Sequence, residues 1–147
     1  MMPVRGFLLP DLESNRDTAP FWAGTARGEL LVPACGACGR WRFPPRPMCP
    51  HCRSVEVRWE PAAGTGTIWS FVVPHVPLLP AYAELAPYNV IVVALDEDPT
   101  IRLVGNLLAS PDAAINEIDA DTITIGAPVR VVFQQVADVA VPRWVQA

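Results

Sequence analysis

Cys35, Cys38, Cys49 and Cys52 are the four cysteines of this chain, and they fall as two C-x-x-C pairs with residues 39–48 between them. Each pair can set two sulfurs on one tight turn, and two such turns facing each other offer the closed tetrahedron that zinc prefers. Gly36, Gly39 and the run Pro44-Pro45-Arg46-Pro47 suit turns far better than helix. Four thiolates on one ion leave no coordination position open, so the expected zinc holds the fold and does not activate water. Iron in an all-sulfur site is the electron-transfer alternative, and no second redox feature accompanies it. Two disulfides are the oxidised alternative.

Other reactive side chains are sparse. Of the two histidines, His51 lies inside the second cysteine turn as a turn residue, and His75, after a β-rich run, has no evident carboxylate or nucleophile beside it. With the thiols committed to metal, neither a Ser-His-Asp nor a Cys-His arrangement can be assembled. Asp96, Glu97 and Asp98 cluster in a turn, as do Asp119 and Asp121, where exposed charge is the ordinary outcome. The expectation is a chain with no catalytic residues of its own and no organic cofactor.

Size and composition bound what these residues are mounted on. The 147 residues suffice for one domain with a small module attached, and 51% hydrophobic against 18% charged residues is apolar enough to suggest surface buried against a partner. A net charge of −4 gives no general attraction to phosphate backbones, which disfavours nucleic acid as a partner. The start of the chain carries no apolar leader and no stretch is long enough to span a bilayer, so a cytoplasmic setting that keeps thiols reduced is expected.

The elements that must position the cysteines are mainly β. Residues 1–33 read as a lead-in containing a short helix, capped by Asp17 or Thr18, with Pro20 in its first turn and Gly28 beyond its end. Residues 34–60 read as the metal ribbon, entered by Leu30-Leu31-Val32 and left by the alternating Val55 to Trp59, with Trp41 and Phe43 as cover for a module too small to build its own core. Residues 61–147 read as some five strands of high curvature. Gly64-Thr65-Gly66 marks a strand that closes tightly at its start, Tyr88 to Leu95 is nearly continuous and central, and Ser110-Pro111-Asp112 opens a helical turn or two after the third strand. This pattern is compatible with a small Greek-key barrel of the oligonucleotide/oligosaccharide-binding (OB) type, and periodicity alone also permits another small barrel or a sandwich. Residues 74–87 carry four prolines yet are too apolar for a solvated loop, so they should lie against a core, a ligand or another subunit.

Taken together, Pro20-Phe21-Trp22, Gly28-Glu29-Leu30, the two cysteine turns with Phe43-Pro44-Pro45-Arg46-Pro47 between them, Gly64-Thr65-Gly66-Thr67-Ile68-Trp69-Ser70-Phe71, Pro87-Tyr88 and Ile125-Gly126-Ala127-Pro128-Val129-Arg130-Val131 resemble the acyl-CoA-associated proteins of the DUF35 type. The resemblance runs over about residues 17–135. It implies an N-terminal helical segment, a rubredoxin-like zinc ribbon on Cys35, Cys38, Cys49 and Cys52, and a C-terminal five-stranded OB-fold barrel. It also implies an accessory role beside thiolase-superfamily enzymes, lipid-transfer-protein-like thiolase homologues that cleave steroid side-chain CoA esters by retro-aldol chemistry, or MaoC-like hydratases. By resemblance the chain would stabilise such a partner and help shape its acyl-CoA channel.

In that light Arg40, Arg42, Arg46 and Arg53 form a cationic patch that could receive CoA phosphates or acidic partner side chains, or serve as a solvated rim. His75 could meet a substrate thioester. Phe21, Trp22, Trp69, Tyr82 and Trp144 are candidates for the partner surface, with core packing as the alternative for each, and residues 76–88 present apolar groups on a restrained backbone. A zinc ribbon on an OB barrel could also bind single-stranded nucleic acid. Against that, residues 68–73 and 90–95 carry no basic side chains between their aromatics.

Overall fold

The structure is a computed structural model describing residues 9–12 and 14–147; the first eight residues of the expected lead-in lie outside the described residues. Helix α1 spans Ala19–Ala26, with Thr18 at its N-cap and Pro20 in its first turn, where the missing N–H costs nothing. Strand β1 (Leu31–Cys35) pairs antiparallel with β2 (Val57–Pro61), Leu31 opposite Pro61 and Cys35 opposite Val57. Trp41 adds a bridge to Ala34, and its indole N–H donates to Glu60 at 2.8 Å.

The second sheet contains β3 (Thr65–Val72), β4 (Val90–Leu95), β5 (Arg102–Gly105), β6 (Pro128–Val136) and β7 (Val139–Gln146), in the order β5-β4-β3-β6-β7 with every neighbour antiparallel. It curls shut. Leu107 bridges Trp144 in parallel, the Leu108 N–H donates to the Trp144 carbonyl at 2.8 Å, and the Trp144 N–H donates to the Asn106 carbonyl at 3.0 Å. Closure between the third and fifth strands of a five-strand set is the OB arrangement.

Two local features make the closure possible. Strand β3 is shared between β4 and β6 at its start, and a Cβ on Gly66 would stand 2.4 Å from the Ala94 carbonyl oxygen, so only glycine lets the three backbones meet there. Further along, Ile68 faces Val93 and Ser70 faces Val92, which leaves Trp69 as the extra residue of a bulge. The bulge turns Trp69 outward at 51% exposure, where the Arg102 guanidinium carbon lies 3.8 Å from its ring centroid.

One core unites the parts. Phe21 from α1 and Leu30 and Val32 at the ribbon entrance pack with Ile68, Ile91, Val93 and Trp144 of the barrel. A smaller cluster of Leu108, Ala113, Ile115, Val132 and Val145 fills the other end. Helix does not form at Ser110: the segment makes a turn closed by Ala113 N–H to Ser110 C=O at 3.0 Å, and the short 3₁₀ turn comes later, at Ala120–Thr122. The reason is a competitor. The buried Gln134 amide donates to the carbonyls of Ala113 (2.7 Å) and Pro111 (3.3 Å), acceptors that a continuing helix would need.

Candidate metal centre and partner surface

Both cysteine turns are built the same way. In the first, the Cys35 carbonyl accepts from Gly39 N–H at 2.9 Å and the Cys35 N–H donates to Arg40 C=O at 2.9 Å; in the second, the Cys49 carbonyl accepts from Arg53 at 2.9 Å and the Cys49 N–H donates to Ser54 at 2.8 Å. The equivalent fifth positions, Gly39 (φ 78°) and Arg53 (φ 67°), are both left-handed. For Arg53 that conformation costs about 1–2 kcal/mol relative to glycine.

The four Sγ atoms all lie within 4.8 Å of one another, with Cys35 to Cys52 at 3.5 Å and Cys38 to Cys49 at 3.7 Å. Zinc–sulfur bonds of about 2.3 Å in a tetrahedron place sulfurs about 3.8 Å apart, so the donor set fits that ion. The cysteines are free, and these separations are well beyond the roughly 2.05 Å of a sulfur–sulfur bond. The backbone prepares the anions: the Cys38 N–H, helped by Ala37 N–H and opposed by burial, holds the Cys35 thiol down to about 6. The Cys49 thiol is also lowered, chiefly by the Cys52 N–H. At Cys52 the Ser54 N–H pulls down, but the three neighbouring sulfurs and burial outweigh it and push the thiol up to about 11. Sulfurs this close hold their last proton tightly, and a cation that displaces it relieves their repulsion.

The four ribbon arginines divide. Arg40, Arg46 and Arg53 are exposed, whereas Arg42 is 4% exposed and spends its Nε and Nη2 on the Arg46 carbonyl at 3.2 and 3.1 Å. Arg42 therefore braces the proline link rather than facing solvent. Arg40 donates Nη1–H to His51 Nδ1 at 2.9 Å, which turns that imidazole toward the arginine. Arg46 lines a cavity of about 290 Å³ with Arg16, Asp17, Val55, Val57 and Trp59. His75 donates Nδ1–H to Val73 C=O at 2.9 Å and lines a different cavity, among Glu117, Asp119 and Asp121, acids that disfavour a phosphate there.

Of the aromatic candidates, Trp144 is 1% exposed and Phe21 is also buried, Trp69 faces out, and Trp22 and Tyr82 are half-buried. Residues 74–87 contain one short helix, α2 (Pro80–Ala83); Leu85 packs against the smaller core cluster, whereas Val76 and Leu79 point outward. Sequence reasoning missed a buried polar chain. Asn89 donates to Leu107 C=O at 2.9 Å and accepts from Leu107 N–H at 2.6 Å, continuing the ladder where β4 and β5 have parted; Asn106 donates to Asn89 C=O, and Arg143 donates to Asn106 Oδ1. Its one signal was an asparagine at the mouth of a continuous apolar run.

Residues 22–58 match the family model described as the ChsH2 rubredoxin-like zinc ribbon domain, and residues 59–134 match the ChsH2 C-terminal OB-fold domain. The chain is 39% identical over 122 residues to a probable enoyl-CoA hydratase alpha subunit of Thermomonospora curvata, covering 83% of this chain and 34% of that protein. It is 33% identical over 131 residues to the 3-oxo-4,17-pregnadiene-20-carboxyl-CoA hydratase alpha subunit of Mycobacterium tuberculosis, covering 89% of this chain and 38% of the relative. The chain thus spans little more than a third of the length of these curated relatives. A solved structure of an Ltp2-ChsH2(DUF35) aldolase contains a chain that superposes with a TM-score of 0.76 at 35% identity, over 91% of this chain and 97% of that one.

Proposed function

The chain belongs to the ChsH2/DUF35 family of zinc-ribbon and OB-fold proteins, and from that premise we propose that it is a non-catalytic accessory subunit that binds and supports a thiolase-superfamily enzyme acting on acyl-CoA. The observation that carries this is the likeness, along nearly the whole of both chains, to the DUF35 component of an aldolase. Retro-aldol cleavage in steroid side-chain degradation is the finer proposal, and a MaoC-like hydratase is the other partner class, suggested by the two hydratase subunits.

In this role the chain's own residues position rather than react. Cys35, Cys38, Cys49 and Cys52 hold zinc, which supplies no open site and serves to fasten the ribbon. The shared core packs the ribbon entrance against the barrel, so surfaces on both can face one partner. Arg40, Arg46 and Arg53 are the CoA-phosphate contacts, with Arg53 held in a conformation that glycine would adopt more easily. Val76, Leu79 and Trp69 form the apolar contact with the enzyme. The reduced thiols suit a cytoplasmic assembly.

The test is co-expression with a thiolase-superfamily enzyme from the same source. Co-purification in defined stoichiometry, with acyl-CoA turnover by the pair and none by this chain alone, is the expected outcome. Turnover by the isolated chain, or failure of the two to associate or to affect each other's solubility, overturns the assignment.

A further inference from the structure

A cavity of about 340 Å³, within the range of small-molecule sites, opens where β5 ends and β7 passes it. Its walls are apolar and aromatic: Trp22 from α1, Tyr82 and Tyr88 from the proline-rich segment, and Ile115 from the loop after β5. It shares Trp22, Val104, Val141 and Pro142 with a second cavity of about 390 Å³ that runs toward Phe43 and Pro44, so the two form one groove along the seam that closes the barrel.

One cation, Arg143, lines the first cavity at the Tyr88 end of the groove, while Arg102 lines the second cavity and stacks on Trp69. Arg143 projects from β7 into the first cavity, and burial pushes its guanidinium below the ordinary value. It donates Nη1–H to Asn106, while its Nε is shielded from solvent and finds no partner. Among the described residues, no Asp or Glu lines the cavity and neither ion pair, Arg27–Glu29 nor Arg58–Glu60, includes Arg143. A half-buried charge is ordinarily compensated by a counter-charge. Among the described residues its side-chain partner is a neutral amide, fixed in turn through Asn89 and the Leu107 backbone, so the cation is held in place with no carboxylate on it there.

We propose that this cavity binds a small apolar monocarboxylate, its carboxylate on Arg143 and its hydrocarbon body between Trp22, Tyr82, Tyr88 and Ile115. A single guanidinium amid apolar walls matches one negative charge on a hydrocarbon; a phosphate dianion would need several further donors, and the cavity offers none of them as a second cation. The ligand is a free acid, because a CoA thioester has no charge at its acyl carbon. The site is thus separate from the ribbon arginines, and it stands or falls independently of the partner assigned above.

The test titrates decanoate, decan-1-ol and decyltrimethylammonium into the zinc-loaded full chain, by calorimetry and by amide chemical shifts. Decanoate should bind with shifts at Tyr88, Asn106 and Arg143, and at least roughly tenfold more tightly than the alcohol, as expected for a charge-assisted hydrogen bond. Arg143→Gln should bring decanoate down to the affinity of decanol, and Ile115→Trp, which fills the cavity without touching the cation, should abolish both. If Arg143→Gln does not fold, the wild-type ratio of decanoate to decanol together with Ile115→Trp decides. Equal affinities for acid and alcohol, decanoate binding that survives Ile115→Trp, or no binding at millimolar decanoate overturns the proposal.

Discussion

The ribbon and the barrel are both short antiparallel sheets, and they are held by opposite means. In the ribbon, β1 and β2 pair over five residues, and the chain between them adds the Trp41 bridge, one Gly36 N–H to Glu56 C=O bond and the Arg42 brace on the Arg46 carbonyl. What remains is two tight turns whose sulfurs converge, with Met48, Val55 and Val57 left exposed around them. In the barrel, eight residue pairs join β6 to β7, and fully buried Ile68, Ile91, Val93, Leu107, Val129 and Trp144 fill the interior. Strand β1 is buried in the shared core, but the cysteine turns beyond it bury little apolar surface and need a cross-link that acts through few atoms; a closed sheet gets its stability from area removed from water.

The sharpest way to break this contrast is to remove the metal. Chelation of the zinc-loaded protein, or Cys35→Ser, should abolish amide protection across the cysteine turns, residues 36–56, while protection in β4, β6 and β7 persists, since structural zinc in zinc-finger peptides is worth about 10–16 kcal/mol. Hydrogen exchange followed by mass spectrometry reads this directly. Loss of protection in both regions at once would mean that the shared core makes the barrel depend on the ribbon; no loss in either would remove the metal from the account.

The barrel has its own weak points, and they should leave the metal bound. Asn89→Ala strands the Leu107 N–H and C=O without partners and should cost about 3 kcal/mol, at roughly 1–3 kcal/mol per buried group. Gly66→Ala forces a methyl against the Ala94 carbonyl and should cost about 2–3 kcal/mol. Denaturant unfolding gives both values, and zinc content measured on the same samples should stay at one per chain. A fall in zinc with either substitution would show that barrel closure organises the sulfurs.

The smallest effect lies in the ribbon and has the opposite sign. Arg53→Gly relieves a left-handed residue and should stabilise the metal-bound protein by about 1 kcal/mol, as a shift in unfolding midpoint. The same substitution should weaken CoA binding by the assembled complex. Stabilisation without any change in CoA affinity would return Arg53 to the solvated rim.

How legible each region was follows from the range of its interactions. The metal site could be read outright, because each C-x-x-C turn is built by hydrogen bonds spanning four or five residues and the ligand types name their ion. The strands were legible too: alternation marks β6, the continuous apolar run marks β4, and the glycine at position 66 marks a crowded closure. Ser110 misled, since its cap and proline satisfy every local condition for a helix and the decisive group, the Gln134 amide, arrives from a strand 21 residues beyond the Ala113 carbonyl it binds.

Composition, spacing and periodicity by themselves determined a four-thiolate ribbon attached to a curved β domain, because those features rest on neighbours along the chain. Only the tertiary structure decided which side of the wall each ambiguous residue occupies. Trp69 and Trp144 are equally apolar, yet one bulged residue pair turns the first outward and one parallel bridge seals the second inside. Arg42 and Arg143 carry the same charge as Arg40, and their burial came from a carbonyl and an amide brought to them by the fold. Sidedness in a closed barrel is a property of the closure, and no local segment of the sequence contains it.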